Sequence, residues 1–135
     1  MPKHTPVESV LIIDDDPLQI AILKDHFHDC KAERILSAPD GAKAKSLLAA
    51  LNCQPELIIC DLQMPEADGI ELFAHLKTTS NTSKVLIISG APKTQLTAAT
   101  HLARLYGLNI IGSFRKPLNL DELDAALNSI SAGNA

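Results

Sequence analysis

Val10-Leu11-Ile12-Ile13-Asp14-Asp15-Asp16 is an apolar run that stops in three consecutive acids, and Leu57-Ile58-Ile59-Cys60-Asp61 repeats the pattern with one. Short, wholly apolar segments of this kind suit strands buried on both faces of a parallel sheet. Parallel strands end on the same side, so the acids are expected to converge. At about 4 Å, two carboxylates repel by roughly 4 kcal/mol at an effective dielectric near 20. A cation placed among them offsets that cost, so the two runs point to a site as well as to a fold.

Three further apolar runs follow the same logic: Arg34–Ser37, Val85–Ile88 and Asn109–Gly112. Between them, apolar residues recur at helical spacing. Ile20, Leu23 and Phe27 mark the first stretch, and Ala44, Leu47, Leu48 and Leu51 the second. Ile70, Phe73 and Leu76 mark the third, Leu96, Ala99, Ala103 and Tyr106 the fourth, and Leu120, Leu123, Leu127 and Ile130 the last. Asp40-Gly41 opens the second helix, Asp68-Gly69 the third, and Gly107 caps the fourth, which spans roughly Lys93 to Tyr106. Asn119 with Glu122 forms a capping pair for the fifth. Strands alternating with helices give an α/β, three-layer (βα)5 sandwich. With right-handed crossovers, the expected sheet is parallel and five-stranded, of flavodoxin-like order 2-1-3-4-5. Sites on such sheets form at the carboxyl ends of the strands, at the switch point between the first and third. Those are the acid-bearing strands.

The 135-residue chain fits one domain, expected over residues 7–131 with flexible termini at 1–6 and 132–135. A content of 46% hydrophobic and 21% charged residues is too apolar for disorder. The net charge of -4 and scattered Lys and Arg disfavour a direct nucleic-acid or anionic-membrane partner. No apolar stretch approaches the roughly 20 residues of a membrane span. Met1 to Ser9 lacks the apolar centre of a secretory signal, so a cytoplasmic location is expected. Cys30, Cys53 and Cys60 are odd in number and share no metal-ligand spacing, and Cys60 reads as a small core hydrophobe. The five histidines show no paired zinc arrangement: His26 and His28 face different sides of a helix, and ordinary placement is expected for all five.

Four strand ends supply polar groups to one place. The first gives Asp14 and Asp15, the third Asp61, the fourth Ser89-Gly90, and the fifth Phe114-Arg115-Lys116-Pro117. Carboxylates, a hydroxyl and an ammonium suit a hard divalent ion beside a phosphoryl group. Asp16 reads as an N-terminal acid of the first helix, favoured by the helix dipole.

These residues resemble the receiver domain of two-component response regulators, of the CheY-like kind, and the likeness covers nearly the whole chain. The resemblance implies that Asp61, in Asp61-Leu62-Gln63-Met64-Pro65-Glu66-Ala67-Asp68-Gly69, accepts a phosphoryl group. It implies that Asp14, Asp15, Asp61 and the main-chain carbonyl of Gln63 hold magnesium or manganese, with Asp15 a direct ligand. Ser89 and Lys116 would bind phosphate and report its presence, while Gly90 and Pro117 shape their loops, the latter through a cis bond. The implied donor is a sensor histidine kinase or a histidine phosphotransfer protein. The implied consequence is a switch acting on an output domain or partner, with homodimerisation through the fourth-helix face. No external metabolite is turned over, so the chain is not expected to be an enzyme in the usual sense.

The family usually carries Tyr or Phe three residues before its lysine. Ser113 holds that position here and Phe114 follows, which directs attention to a switch through the loop or the fourth helix. Adjacent strand residues face opposite sides, so Phe114 is expected to point into the core. The long fourth helix and the run Gly107-Leu108-Asn109-Ile110-Ile111-Gly112 look similar to receivers attached to cyclic-di-GMP phosphodiesterase (EAL) domains. Two other classes fit less well. A haloacid-dehalogenase-type hydrolase would show DxDx(T/V) after the first strand, and Asp14-Asp15-Asp16-Pro17 has the alternating acids but lacks the Thr or Val that follows them. A flavin carrier would need a Ser/Thr/Gly-rich phosphate loop where acids stand.

Overall fold

The acid-ended runs form neighbouring central strands. The computed structural model describes residues 7–62 and 69–133. Its elements alternate as β1 (Ser9–Ile13), α1 (Pro17–Asp29), β2 (Arg34–Ala38), α2 (Gly41–Ala50), β3 (Leu57–Asp61), α3 (Gly69–Thr78), β4 (Lys84–Ser89), α4 (Lys93–Leu105), β5 (Asn109–Arg115) and α5 (Leu120–Gly133). All strand pairings are parallel, in the expected order β2-β1-β3-β4-β5. Gln63 to Asp68, and with them the expected Asp68 start of the third helix, lie outside the described residues, and α3 is described from Gly69 onward.

Alternation along the strands divides the core in two. Leu11, Ile13, Ile58, Cys60, Val85 and Ile87 pack with α2, α3 and α4. Val10, Ile12, Leu57, Ile59, Leu86 and Ile88 pack with α1 and α5. Every residue of β3 is buried, as continuous hydrophobicity demands. Each buried Leu or Ile contributes about 1.5–3 kcal/mol. Leu72, His26 and Thr100 are buried although they fell outside the helical stripes read from sequence; the buried Thr100 hydroxyl is satisfied by donating to the Leu96 carbonyl, 2.7 Å away.

Helix starts follow side-chain capping. The Asp16 carboxylate accepts from the Leu18 N–H at 3.0 Å, with Pro17 at the first helical position, so Asp16 is a cap. Asp40 accepts from Lys43 N–H at 2.8 Å, and Asn119 accepts from Asp121 and Glu122 N–H at 2.8 and 3.1 Å. Helix ends follow a shared geometry. After α4, Gly107 has φ 84°, its N–H donates to Arg104 O, and Leu108 N–H donates to Ala103 O. That pair of bonds is a Schellman motif. The same bond pair closes α1 around Lys31 (φ 66°) and α3 around Ser80 (φ 54°), neither of which is glycine.

β5 is longer than the run Asn109–Gly112 read from sequence, extending to Arg115. Val85 pairs with Ile110 but Leu86 with Gly112, which leaves Ile111 as an extra residue in a bulge. The bulge resets the alternation, so Ser113 lies beside Ile87 on the α4 side while Phe114 packs in the α1/α5 core. The Phe114 ring covers Gly112, where an added Cβ would stand 3.2 Å from Cε2. Among the described residues, no helix is long and apolar enough to cross a membrane.

Candidate phosphoacceptor and metal site

Asp14 and Asp61 emerge from the ends of adjacent strands, and burial of those strands carries both carboxylates inward: their residues are 0% and 2% exposed. Lys116, one residue past β5, reaches back between them. Its Nζ donates to Asp61 Oδ2 at 3.0 Å and to Asp14 Oδ1 at 3.3 Å. Asp14 Oδ2 lies 3.1 Å from the same nitrogen, at ion-pair distance but outside hydrogen-bond geometry, so this buried oxygen keeps its lone pairs available. Asp14 Oδ1 also accepts from the Asp16 N–H at 2.9 Å. Asp15 is exposed, yet its carboxylate comes within 4.8 Å of those of Asp14 and Asp61.

The electrostatics follow from burial. Desolvation pushes the Asp14 carboxyl up to about 6, aided by the Asp61 charge and opposed by the Asp16 N–H and Lys116. For Lys116, burial alone would favour the neutral amine, but hydrogen bonds to Asp61 and Asp14 outweigh it and the pKa rises above 10.5. The Cys60 thiol is pushed far up by burial and by the charges of Asp61 and Asp14, so it stays neutral. Its Sγ donates to the Asp61 carbonyl, consistent with a packed core residue.

Ser89 ends β4, one residue beyond the partner of Asp61, and is fully buried. Its Oγ accepts from Ala91 N–H at 3.0 Å, and its carbonyl accepts from Lys116 N–H at 2.8 Å. The latter bond ties the serine strand end to the lysine loop. The Lys116-Pro117 peptide is cis, as the sequence reading expected. Gly90 lies in an exposed bend directly after β4. Gln63, expected to offer its carbonyl, lies outside the described residues. Sequence reasoning gave Arg115 no role, but its Nε donates to Ala91 O at 3.2 Å and steadies the loop after β4. No residue-type pattern at a strand end signals such a bond.

The donor set can be tested against a metal. Asp14, Asp15 and Asp61 offer only oxygen atoms, and one buried oxygen lacks a hydrogen bond; that chemistry fits a hard divalent ion. An open groove of about 430 Å³, lined by Asp14, Asp15, Pro17, Ile20 and Ser37, adjoins the first two of these acids.

A family model for the response regulator receiver domain matches residues 10–128. The chain belongs to the response regulator receiver family. This receiver is similar to the cyclic di-GMP phosphodiesterase RocR of Pseudomonas aeruginosa, with 27% identity over 124 residues. The match covers 92% of this chain and 31% of RocR, so the receiver spans under a third of that relative. It is 28% identical over 122 residues to a protein of Rhizobium etli described as a probable chemotaxis protein CheY, covering 90% of each. Among solved structures, a response regulator from Colwellia psychrerythraea superposes with TM-score 0.77 at 31% identity, covering 93% of this chain and 98% of that one.

Proposed function

We propose that this receiver, residues 7–131, is a phosphoacceptor in a two-component phosphorelay, with Asp61 as the residue that takes the phosphoryl group. The observation that carries the reading is Lys116, whose ammonium bridges buried Asp61 and Asp14 at 3.0 and 3.1 Å. Three ionised groups so placed provide a nucleophilic carboxylate beside fixed positive charge, which is what phosphoryl transfer requires. The donor is a sensor histidine kinase or histidine phosphotransfer protein. An Asp61 oxygen attacks phosphorus in line, the P–O bond forms, and the P–N bond to the donor imidazole breaks. Lys116 then exchanges part of its carboxylate pairing for the phosphoryl oxygens.

Asp14, Asp15 and Asp61, with the Gln63 carbonyl, would hold magnesium or manganese. When bound, such an ion neutralises charge on the phosphoryl oxygens. Ser89 donates its hydroxyl to the phosphoryl group, giving up its bond with Ala91 N–H and drawing the loop before α4. With Ser113 on the α4 side of β5, that movement reaches α4 without an aromatic swing. The output is an attached domain or separate protein, and the likeness to RocR favours a cyclic-di-GMP phosphodiesterase module. The phosphorylated form pairs with a second copy through its α4 face. The protein works in the cytoplasm, binds neither nucleic acid nor membrane directly, and catalyses only its own phosphorylation and dephosphorylation.

Mass spectrometry after acetyl phosphate treatment with magnesium tests the reading. One labile phosphoryl group is expected on the parent and none on Asp61→Asn; equal labelling of both rejects the assignment.

A further inference from the structure

A second convergent group lies at the α1–α5 contact, away from the acidic site. His26 and Cys30 stand four residues apart at the end of α1, where the Cys30 N–H still donates to the His26 carbonyl at 3.0 Å. Helical spacing therefore puts both side chains on one face. Asp124 of α5 meets them: its Oδ1 is 2.8 Å from His26 Nε2, and Cys30 Sγ is 3.9 Å from the same nitrogen. One ligand atom from each residue falls within 4.8 Å of the others. The His26 side chain is 7% exposed and Cys30 4%, so the ring and thiol are held by packing, the ring edge-on to Phe27. The Asp124 side chain is 23% exposed and leaves a way in from solvent.

We propose that His26, Cys30 and Asp124 form a transition-metal site for a borderline divalent ion such as zinc, with water in the fourth position, joining α1 to α5. Imidazole, thiolate and carboxylate are the zinc donor types, and they differ from the all-oxygen set at Asp61. Tetrahedral zinc at ordinary bond lengths places nitrogen about 3.3 Å from oxygen and about 3.6 Å from sulfur. The observed 2.8 and 3.9 Å straddle those values, so Asp124 recedes and Cys30 advances by a few tenths of an ångström. On binding, the Cys30 thiol releases its proton to solvent, the Nε2 proton that served the bond to Asp124 passes by way of solvent to Nδ1, and the His26–Asp124 hydrogen bond gives way to two metal bonds.

Cobalt is the probe, because thiolate ligation gives a near-ultraviolet charge-transfer band. The protein carries no affinity tag and has exposed Cys53 replaced by Ser. Excess magnesium occupies the oxygen site. A cobalt–thiolate band that zinc abolishes is expected, and Cys30→Ser removes it. His26→Gln and Asp124→Asn weaken cobalt at least by the roughly tenfold that even outer-shell changes cost. Zinc should also raise the melting temperature of the Cys53→Ser parent and leave the further Cys30→Ser variant unmoved. Circular dichroism identifies the folded variants for comparison. No band at saturating cobalt, or a band that survives Cys30→Ser, overturns the site.

Discussion

Asp14 is a carboxyl group whose charge is opposed by burial and supported by only part of its surroundings. Its pKa is raised from 3.8 to about 6, so between those values the folded chain binds more protons than the unfolded one. Stability from this group is therefore full below about pH 4 and lost as pH rises through 6. A rise of roughly two pH units corresponds to about 3 kcal/mol. With metal chelated, the stability of Asp14→Asn relative to the parent should climb by up to that amount between about pH 4 and pH 7, measured by urea unfolding. A constant difference across this range would contradict the burial argument. Asp14 and Asp61 were legible in the sequence because each directly ends an apolar run, whereas Lys116, four residues past the run that stops at Gly112, was legible through its Lys-Pro pair. The Arg115 bond to Ala91 and the meeting of Asp124 with His26 were not, since each joins groups whose approach depends on packing angles.

Helix boundaries show the same division between chemistry that is written locally and chemistry that is not. Asp40, Asn119 and Gly107 were legible because capping acids, amides and glycine have strong positional preferences. The left-handed residues Lys31 and Ser80 carry no such signal, although their motifs match that of Gly107. Gly107→Ala should cost about 1 kcal/mol from backbone strain alone, because no atom lies within 4 Å of the added Cβ. Ser80→Gly should instead stabilise by up to about 1 kcal/mol, since it relieves the same strain. Chemical denaturation of the two variants checks the pair. Opposite signs are expected, and destabilisation by both would count against strain at Ser80.

The sheet order was legible because five apolar runs with helical stretches between them leave few right-handed parallel arrangements. The extra residue in β5 was not legible, since Ile110 and Ile111 are equally apolar and either could face either core. The two cores leave α4 with an exposed end, where Leu105 is 68% exposed. If phosphorylation pairs two copies through that face, light scattering should give a doubled mass with a phosphoryl mimic and the monomer mass without it. An unchanged mass rejects pairing. The bulge at Ile111 has a bearing on how such chains diverge. Because the surplus residue is absorbed as a local kink, Gly112 through Arg115 remain in step with β4, and Lys116 still arrives between the two acids. Chain length can drift upstream of that kink without sliding the ammonium out of reach, so the α4 region is free to vary while the chemistry stays in frame.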